Sequence, residues 1–246
     1  MSSHSSHGAV DLGAVQAPGF EAGRKLSLVA AVVGLAGALG LAAVQEGGWR
    51  HLQFAWLFGT MFFVTLGFGG LFFVLLQYIT RAGWSVVVRR IAEHVMSTLP
   101  MVTLLLLPLV ILAMMGNGDL FTWANLDKIR DHHPEELHLY EHKAAYLNGT
   151  FFLIRFAIYV AIWMAMARYF KSGSLAQDQD GDPVRTLRMQ RVAAPCTLLF
   201  ALSITFAAVD FMMSLDAPWF STIFGVYVFA GSFLAFMSFL GLMTQR

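Results

Sequence analysis

The stretch FAWLFGTMFFVTLGFGGLFFVLLQYI, residues 54–79, contains no acidic or basic side chain. An α-helix rises about 1.5 Å per residue and the hydrocarbon core of a bilayer is about 30 Å thick. About 20 consecutive apolar residues therefore cross it. Residues 54–79 meet that requirement with length to spare, so they read as a membrane-spanning helix. The same criterion places further spans near 26–44, 99–115, 150–170, 192–213 and 220–243. The expected fold is all-α: a polytopic membrane helical bundle of six transmembrane helices over residues 26–246, preceded by a flexible tail at 1–25.

Composition agrees. Of the 246 residues, 57% are hydrophobic and 13% charged, whereas soluble domains carry about 25% charged residues. A chain of this length cannot bury that much apolar surface in a water-soluble core, so its solvent is the lipid bilayer. The net charge of +1, with no basic patch interleaved with aromatics, gives no reason to expect a nucleic-acid partner. The one cysteine, Cys196, lies in an apolar segment and reads as a packing residue, without a disulfide framework or thiolate metal site. The segment MSSHSSHGAVDLGAVQAPGFEAG at the start is polar and punctuated by Gly and Pro. The apolar run that follows Arg24 and Lys25 is too long for the core of a signal peptide, so it is expected to be a retained first helix.

Within the spans, Ala30, Gly34, Ala38 and Ala42 form a small-residue stripe, and Gly67, Gly69 and Gly70 cluster in the second span. Both patterns allow close approach of another helix. The third span is short and contains Pro108, which predicts a kink there. Eleven Lys and Arg residues fall on the side that would hold both termini and the 80–98 and 171–191 loops. Four (Arg50, Lys128, Arg130 and Lys143) fall on the other. The positive-inside rule then predicts cytoplasmic N- and C-termini. In residues 82–97, Trp84, Val88, Ile91 and Val95 share one helical face while Arg89 and Glu93 are spaced i,i+4 on another. That pattern predicts an interfacial helix on the cytoplasmic surface. The acidic, His-rich segment 116–149 is expected to be an extracytoplasmic loop with a helix of its own.

Several short motifs resemble known chemistry. His138-Leu-Tyr-Glu-His142 has the H-x-x-E-H spacing of one class of zinc peptidases, but a loop of this size offers neither a third ligand nor a cleft. A solvated acidic loop is the expected reading. DQDGD, residues 178–182, lacks the Gly and Glu positions of a calcium loop and reads as a turn. Asn148-Gly149-Thr150 matches a glycosylation acceptor but abuts a span. None of the eight histidines lies well inside a span, which argues against haem held between His pairs of these helices.

The charges inside the spans are more informative. Arg155 lies in the fourth span and Asp210 near the end of the fifth, both toward the extracytoplasmic end and about one turn apart in depth. Tyr159 follows Arg155 by one turn, and Ser203 precedes Asp210 by two. Ionisable groups within a bilayer are costly, and they pair or line a polar path. Three readings stand at this point: a polar half-path that holds a quinol head group or passes protons, an ion pair that fixes helix packing, and separate snorkelling to nearby water. Asp216 is expected to cap the turn before the sixth span, with Pro218 and Trp219 anchoring its start.

Four stretches closely resemble the F-type membrane subunit of alternative complex III, a bacterial quinol oxidoreductase. They are AGWSVVVRRIAEHVMSTLP (82–100), HKAAYLNGTFFLIR (142–155), SLAQDQDGDP (174–183) and DFMMSLDAPWFSTIFGVYVFAGS (210–232). The resemblance covers residues 50–246. It implies a relative of polysulfide-reductase-type membrane anchors in the bacterial inner membrane. Such anchors carry more spans than the six here, so later helices are expected to be missing. It also implies that this chain alone binds no redox cofactor, that quinol binding is open to it, and that haem c and iron–sulfur clusters reside in partner subunits. Those partners would include other membrane subunits of the complex. The matched strings contain Glu93, His94, His142, Arg155, Asp210 and Asp216. With Tyr159, the first five form the candidate proton or quinol path; no residue is expected to be catalytic or to bind metal. The expected function is a cofactor-free subunit supporting quinol docking or proton conduction, with a structural scaffold as the alternative. A solute transporter would call for paired broken helices in repeated halves, and no internal repeat is found.

Overall fold

The computed structural model describes residues 20–132 and 134–245. The expected tail, up to residue 19, lies outside the described residues. Among those residues every regular element is helical: α1 (Phe20–Val44), α2 (Gly48–Ile79), α3 (Val86–Leu104), α4 (Leu107–Met114), α5 (Leu126–His132), α6 (Leu137–Lys143), α7 (Gly149–Asp180), α8 (Pro183–Phe211) and α9 (Phe224–Thr244). Six helical segments are long and apolar enough to cross a membrane: Ala22–Val44, Gly48–Ile79, Val88–Met114, Gly149–Asp180, Pro183–Leu215 and Phe224–Thr244. The chain is thus a multi-pass membrane protein.

The chain divides into two compact units, residues 1–52 and 53–246. In the first, α1 begins at Phe20, so Arg24 and Lys25 are helical rather than part of a tail. Its small-residue stripe is used for packing at Ala42, which is buried. A side chain at Gly48 would run into the Ala42 backbone, whereas one at Gly34 would meet nothing.

The second unit is built around α7, which packs against α3, α4 and α8, while α9 packs on α8 and α3. Aromatic rings interlock between these helices. Phe68 meets Trp163 edge-on at 4.6 Å, Phe72 meets Phe229 at 4.7 Å, and Tyr78 stacks on Phe170 at 5.4 Å. Lipid tails are as apolar as these side chains, so association rests on van der Waals fit and interhelical hydrogen bonds more than on exclusion of water. The outward residues, such as Phe58 and Leu198, are accordingly as apolar as the inward ones. The α2 glycines bring helices together as expected. A Cβ at Gly67 would press on Leu99 of α3, one at Gly70 on Met96 and Val95, and one at Gly69 would collide with the Ser232 carbonyl and Phe236 of α9.

Two expected boundaries move. The interfacial helix at 82–97 and the third span at 99–115 are not separate elements; α3 runs unbroken from Val86 through Pro100 to Leu104. Val88, Ile91 and Val95 pack against the core and Ala92 and Met96 are fully buried, so this stretch joins the bundle. The break predicted from Pro108 falls just before it, at Leu105–Leu106, and Pro108 takes the first turn of α4. Proline is tolerated there because the N–H it lacks has no helical partner anyway. The Leu105 carbonyl released by the break accepts a hydrogen bond from Trp56 Nε1 at 2.7 Å. The predicted loop 171–191 shrinks to Gly181 and Asp182, because α7 continues to Asp180 and α8 starts at Pro183. Gly181 ends α7 with φ +66°, and the Asp182 carboxylate caps α8 through the Val184 N–H at 2.9 Å. Of DQDGD, expected to be a turn, Asp178–Asp180 instead form the end of α7 and only Gly181 and Asp182 make the connection.

The segment 116–149, expected to carry a helix of its own, holds two short helices among its described residues, α5 and α6, with two short 3-10 turns. Phe121 and Trp123 anchor it against Phe152 at the start of α7, at 5.3 and 5.4 Å between ring centroids. Asp216 lies, as expected, in the turn before the sixth span, and α9 itself begins only at Phe224 without a side-chain cap. The Asp216 backbone carbonyl accepts the Trp219 N–H at 3.1 Å and closes the turn.

These contacts predict opposite outcomes for two glycines. Gly69→Ala forces α2 away from α9 and lowers stability by about 1–3 kcal/mol, the usual cost of overpacking. Gly34→Ala, whose Cβ meets nothing, leaves stability unchanged or slightly raised. Thermal unfolding of the two variants in detergent, followed by circular dichroism, checks the contrast.

Candidate functional site

Arg155 and Asp210 meet. Arg155 lies six residues into α7, about 9 Å along its axis, and Asp210 is the penultimate residue of α8. The guanidinium grips the carboxylate with both arms: Nε donates to Oδ2 at 2.8 Å and a terminal nitrogen to Oδ1 at 2.9 Å. Tyr159, one turn further along α7, donates its hydroxyl to Oδ2 at 2.7 Å. Asp210 is fully buried and Arg155 nearly so. Snorkelling to water is therefore not how these charges are accommodated.

The remaining hydrogen-bonding capacity of the pair is used too. The other terminal nitrogen of Arg155 donates to the Tyr146 carbonyl at 2.9 Å. The guanidinium lies over the Tyr146 ring, 3.9 Å from its centroid, and near the Phe151 ring at 4.4 Å. Such cation–π contacts strengthen when water is excluded. Ser214 donates to the Asp210 backbone carbonyl at 2.6 Å, satisfying a group left open where α8 ends. Deeper along the same face of α7, Trp163 stacks on Tyr159 and donates to Ser203 Oγ at 2.9 Å. Arg155, Tyr159 and Trp163 thus form a polar stripe at i, i+4 and i+8, facing Asp210 and Ser203.

A cavity of about 390 Å³ adjoins the pair, lined among others by His142, Tyr146, Val209, Met213, Trp219 and Phe220. Lys143 stands at its edge, its ammonium held by the Ala217 carbonyl and 5.9 Å from the Phe220 ring centroid. The Tyr146 hydroxyl is buried without a hydrogen-bond partner among the described residues. Burial, reinforced by the negative charge of Asp210, pushes that phenol well above the ordinary tyrosine range, so it stays protonated as a donor. An apolar, aromatic-walled cleft with a few polar groups is what a flat, weakly polar ring ligand requires.

The candidates from sequence separate into two places. Asp210, Arg155 and Tyr159 form one cluster, and His142 borders the adjoining cavity. Glu93 and His94 lie elsewhere, on α3 near Ser174, which is about 28 Å along α7 from Arg155. There Glu93 is buried and paired with Arg90 at 2.9 Å and Arg89 at 3.6 Å, and Arg90 also binds Asp178. His94 is exposed, with Nδ1 2.7 Å from the Arg90 carbonyl. His138 and His142 share α6, yet among the described residues no group of three or more potential ligands could hold a metal ion. Sequence reasoning missed Tyr146, Phe151 and Ser214. Tyr146 stands two residues before Asn148, whose side chain caps α7 through the Phe151 N–H at 2.9 Å. That cap was the available signal that residues 146 and 151 flank the start of the helix bearing Arg155.

Two measurements test this geometry. Removing one member of a buried ion pair strands the other, so Arg155→Met and Asp210→Leu should each destabilise by about 3–5 kcal/mol. The double variant should cost much less than their sum, as read from denaturation in detergent. For Tyr146, the unfolded chain loses its phenolic proton first, near the ordinary tyrosine value of 10.0. Stability should therefore fall as pH rises above that value. Tyr146→Phe should flatten this alkaline loss of Tm.

No family model matches the chain, and no curated protein matches it.

Proposed function

We propose that this chain is a multi-pass subunit of a quinol-oxidising respiratory complex in a bacterial inner membrane, supporting quinol docking or proton movement at one membrane face. Haem c and iron–sulfur clusters then belong to partner subunits, and electrons do not pass through this chain. The observation that carries the reading is the buried Asp210, held by Arg155 and Tyr159 beside a cleft of quinol-compatible chemistry. The stretches that resemble the F-type subunit of alternative complex III support it. Two of them, 142–155 and 210–232, supply most of the residues that meet at this cleft. With both termini cytoplasmic by the positive-inside rule, the site opens toward the extracytoplasmic side, where a quinol oxidase releases its protons.

The chemistry asked of the residues is proton transfer. Both Asp210 oxygens already accept hydrogen bonds. Among the described residues Oδ1 accepts one of these bonds and keeps a second lone pair, so a proton can bind there and neutralise the charge that holds Arg155. The Tyr146 carbonyl and the rings of Tyr146 and Phe151 hold the guanidinium meanwhile. Tyr159 is placed to exchange protons with Oδ2, and Trp163 with Ser203 extends the polar stripe inward. The same bidentate geometry supports the second reading, in which the pair only locks α7 to α8 and the chain is a scaffold.

Asp210→Asn in the assembled complex separates the two. A relay loses turnover by at least about 100-fold, the scale of a lost proton-transfer group, while subunit composition stays intact. A scaffold loses assembly, or nothing. Mild-detergent pull-down of the tagged chain, read by mass spectrometry and a reduced-minus-oxidised spectrum, tests the complex itself. Co-elution of c-type haem and iron–sulfur subunits is expected. A colourless chain eluting alone would sink the assignment.

A further inference from the structure

At the other end of α7 the basic residues are arranged differently. A groove of about 310 Å³ runs between α3 and α7, with Arg168 and Lys171 at one end and Met101, Leu104 and Met164 forming an apolar floor at the other, Met101 and Leu104 themselves being exposed on the outer surface. The two helices are antiparallel there: Ser97 lies opposite Lys171, and Leu104 toward Met164. The polar and apolar ends of the groove are therefore shared by both walls. Lys171 Nζ donates to Ser97 Oγ at 2.8 Å, and Ser97 in turn donates to the His94 carbonyl at 2.7 Å. This fixes the ammonium at the mouth, and among the described residues its other protons have no hydrogen-bond partner. Arg168 is exposed, with no ion pair or hydrogen bond among the described residues. No carboxylate lines the groove. By contrast Arg185, on the opposite side of α7, is neutralised by Asp180 at 2.6 Å.

Depth decides what the groove can hold. Arg168 and Lys171 lie 19 and 22 residues beyond Gly149, about 28 and 33 Å along α7. That distance matches the hydrocarbon thickness of a bilayer. With the start of α7 at one interface, these two cations stand at the headgroup level of the other, and the methionine and leucine floor descends into the acyl region. Basic pockets between transmembrane helices recognise anionic lipid headgroups in this way. We propose that the groove formed by Ser97, Met101, Leu104, Met164, Arg168 and Lys171 is a binding site for an anionic phospholipid, its phosphate held by Arg168 and Lys171 and an acyl chain laid between α3 and α7. The apolar floor commits the site to a lipid rather than to a free phosphate. The inference requires only that the helices span a bilayer and is independent of the quinol reading.

Native mass spectrometry of the full chain, released from nanodiscs of mixed phosphatidylglycerol and phosphatidylcholine, tests it. Phosphatidylglycerol should be retained in preference. Each of Arg168→Gln and Lys171→Gln should lower that preference roughly five-fold, and the pair together about thirty-fold, the scale for two cations near a membrane surface. Arg168→Gln breaks no contact, so it keeps the test valid if the Lys171 variant unfolds. Arg188→Gln with Arg191→Gln removes the same charge outside the groove and should leave retention unchanged. Equal loss in that control would show diffuse attraction and overturn the proposal. So would equal retention of both lipids by the unaltered chain, or thermal protection by inorganic phosphate matching that by phosphatidylglycerol.

Discussion

A guanidinium and a carboxylate cannot be left bare in a low-dielectric helical bundle, and much of the structure around residues 146–214 answers that constraint. Taking either charge out of water costs several kcal/mol, and mutual attraction offsets this only when the remaining hydrogen-bonding groups are satisfied. Here the offset is thorough. Asp210 receives two bonds from Arg155 and one from Tyr159, and the spare donor of Arg155 reaches the Tyr146 carbonyl. That requirement sets the register of α7 against α8 and ties residue 146, in the connecting layer, to both. The layer formed by α5 and α6 is held over the same end by Phe121, Trp123 and Phe152.

The pair also creates the conditions for chemistry. Three donors hold the Asp210 carboxylate, two on Oδ2 and one on Oδ1, so a proton taken up there would neutralise the charge that grips Arg155 and let the guanidinium move. The cleft lined by Tyr146, Met213 and Phe220 lies on the side where such a movement would be felt. A lock and a relay are thus built from the same atoms.

The two ends of α7 solve different problems. Near Gly149 the charges are buried and paired; near Asp180 they are exposed or partly exposed. Glu93, buried on α3, is the exception at that second end, and it is matched by Arg89 and Arg90. Between them the helix presents Trp163, Met166 and Phe170 to a core of rings. Polar groups are thus confined to the two ends and to one short stripe.

The class of the molecule, its six candidate spans and the presence of two costly charges near one end were all legible in residue order. Each follows from local length and composition measured against the thickness of a bilayer. Helix boundaries were less legible. The fusion of residues 82–97 with the third span depended on Ala92, Glu93 and Met96 being covered by other helices, which no local pattern states. The pairing of Arg155 with Asp210 could be framed as one of three outcomes, because two residues 55 positions apart meet only once α7 and α8 have packed. Tyr146, Phe151 and Ser214 could not be assigned at all, since an aromatic ring or a hydroxyl is unremarkable until a charge is set beside it. The sequence by itself determined that the chain lives in a membrane and must hide an arginine and an aspartate. Only the tertiary structure decided that they hide in each other, because in a medium without water the partner of a buried charge is whatever the fold brings within 3 Å or so.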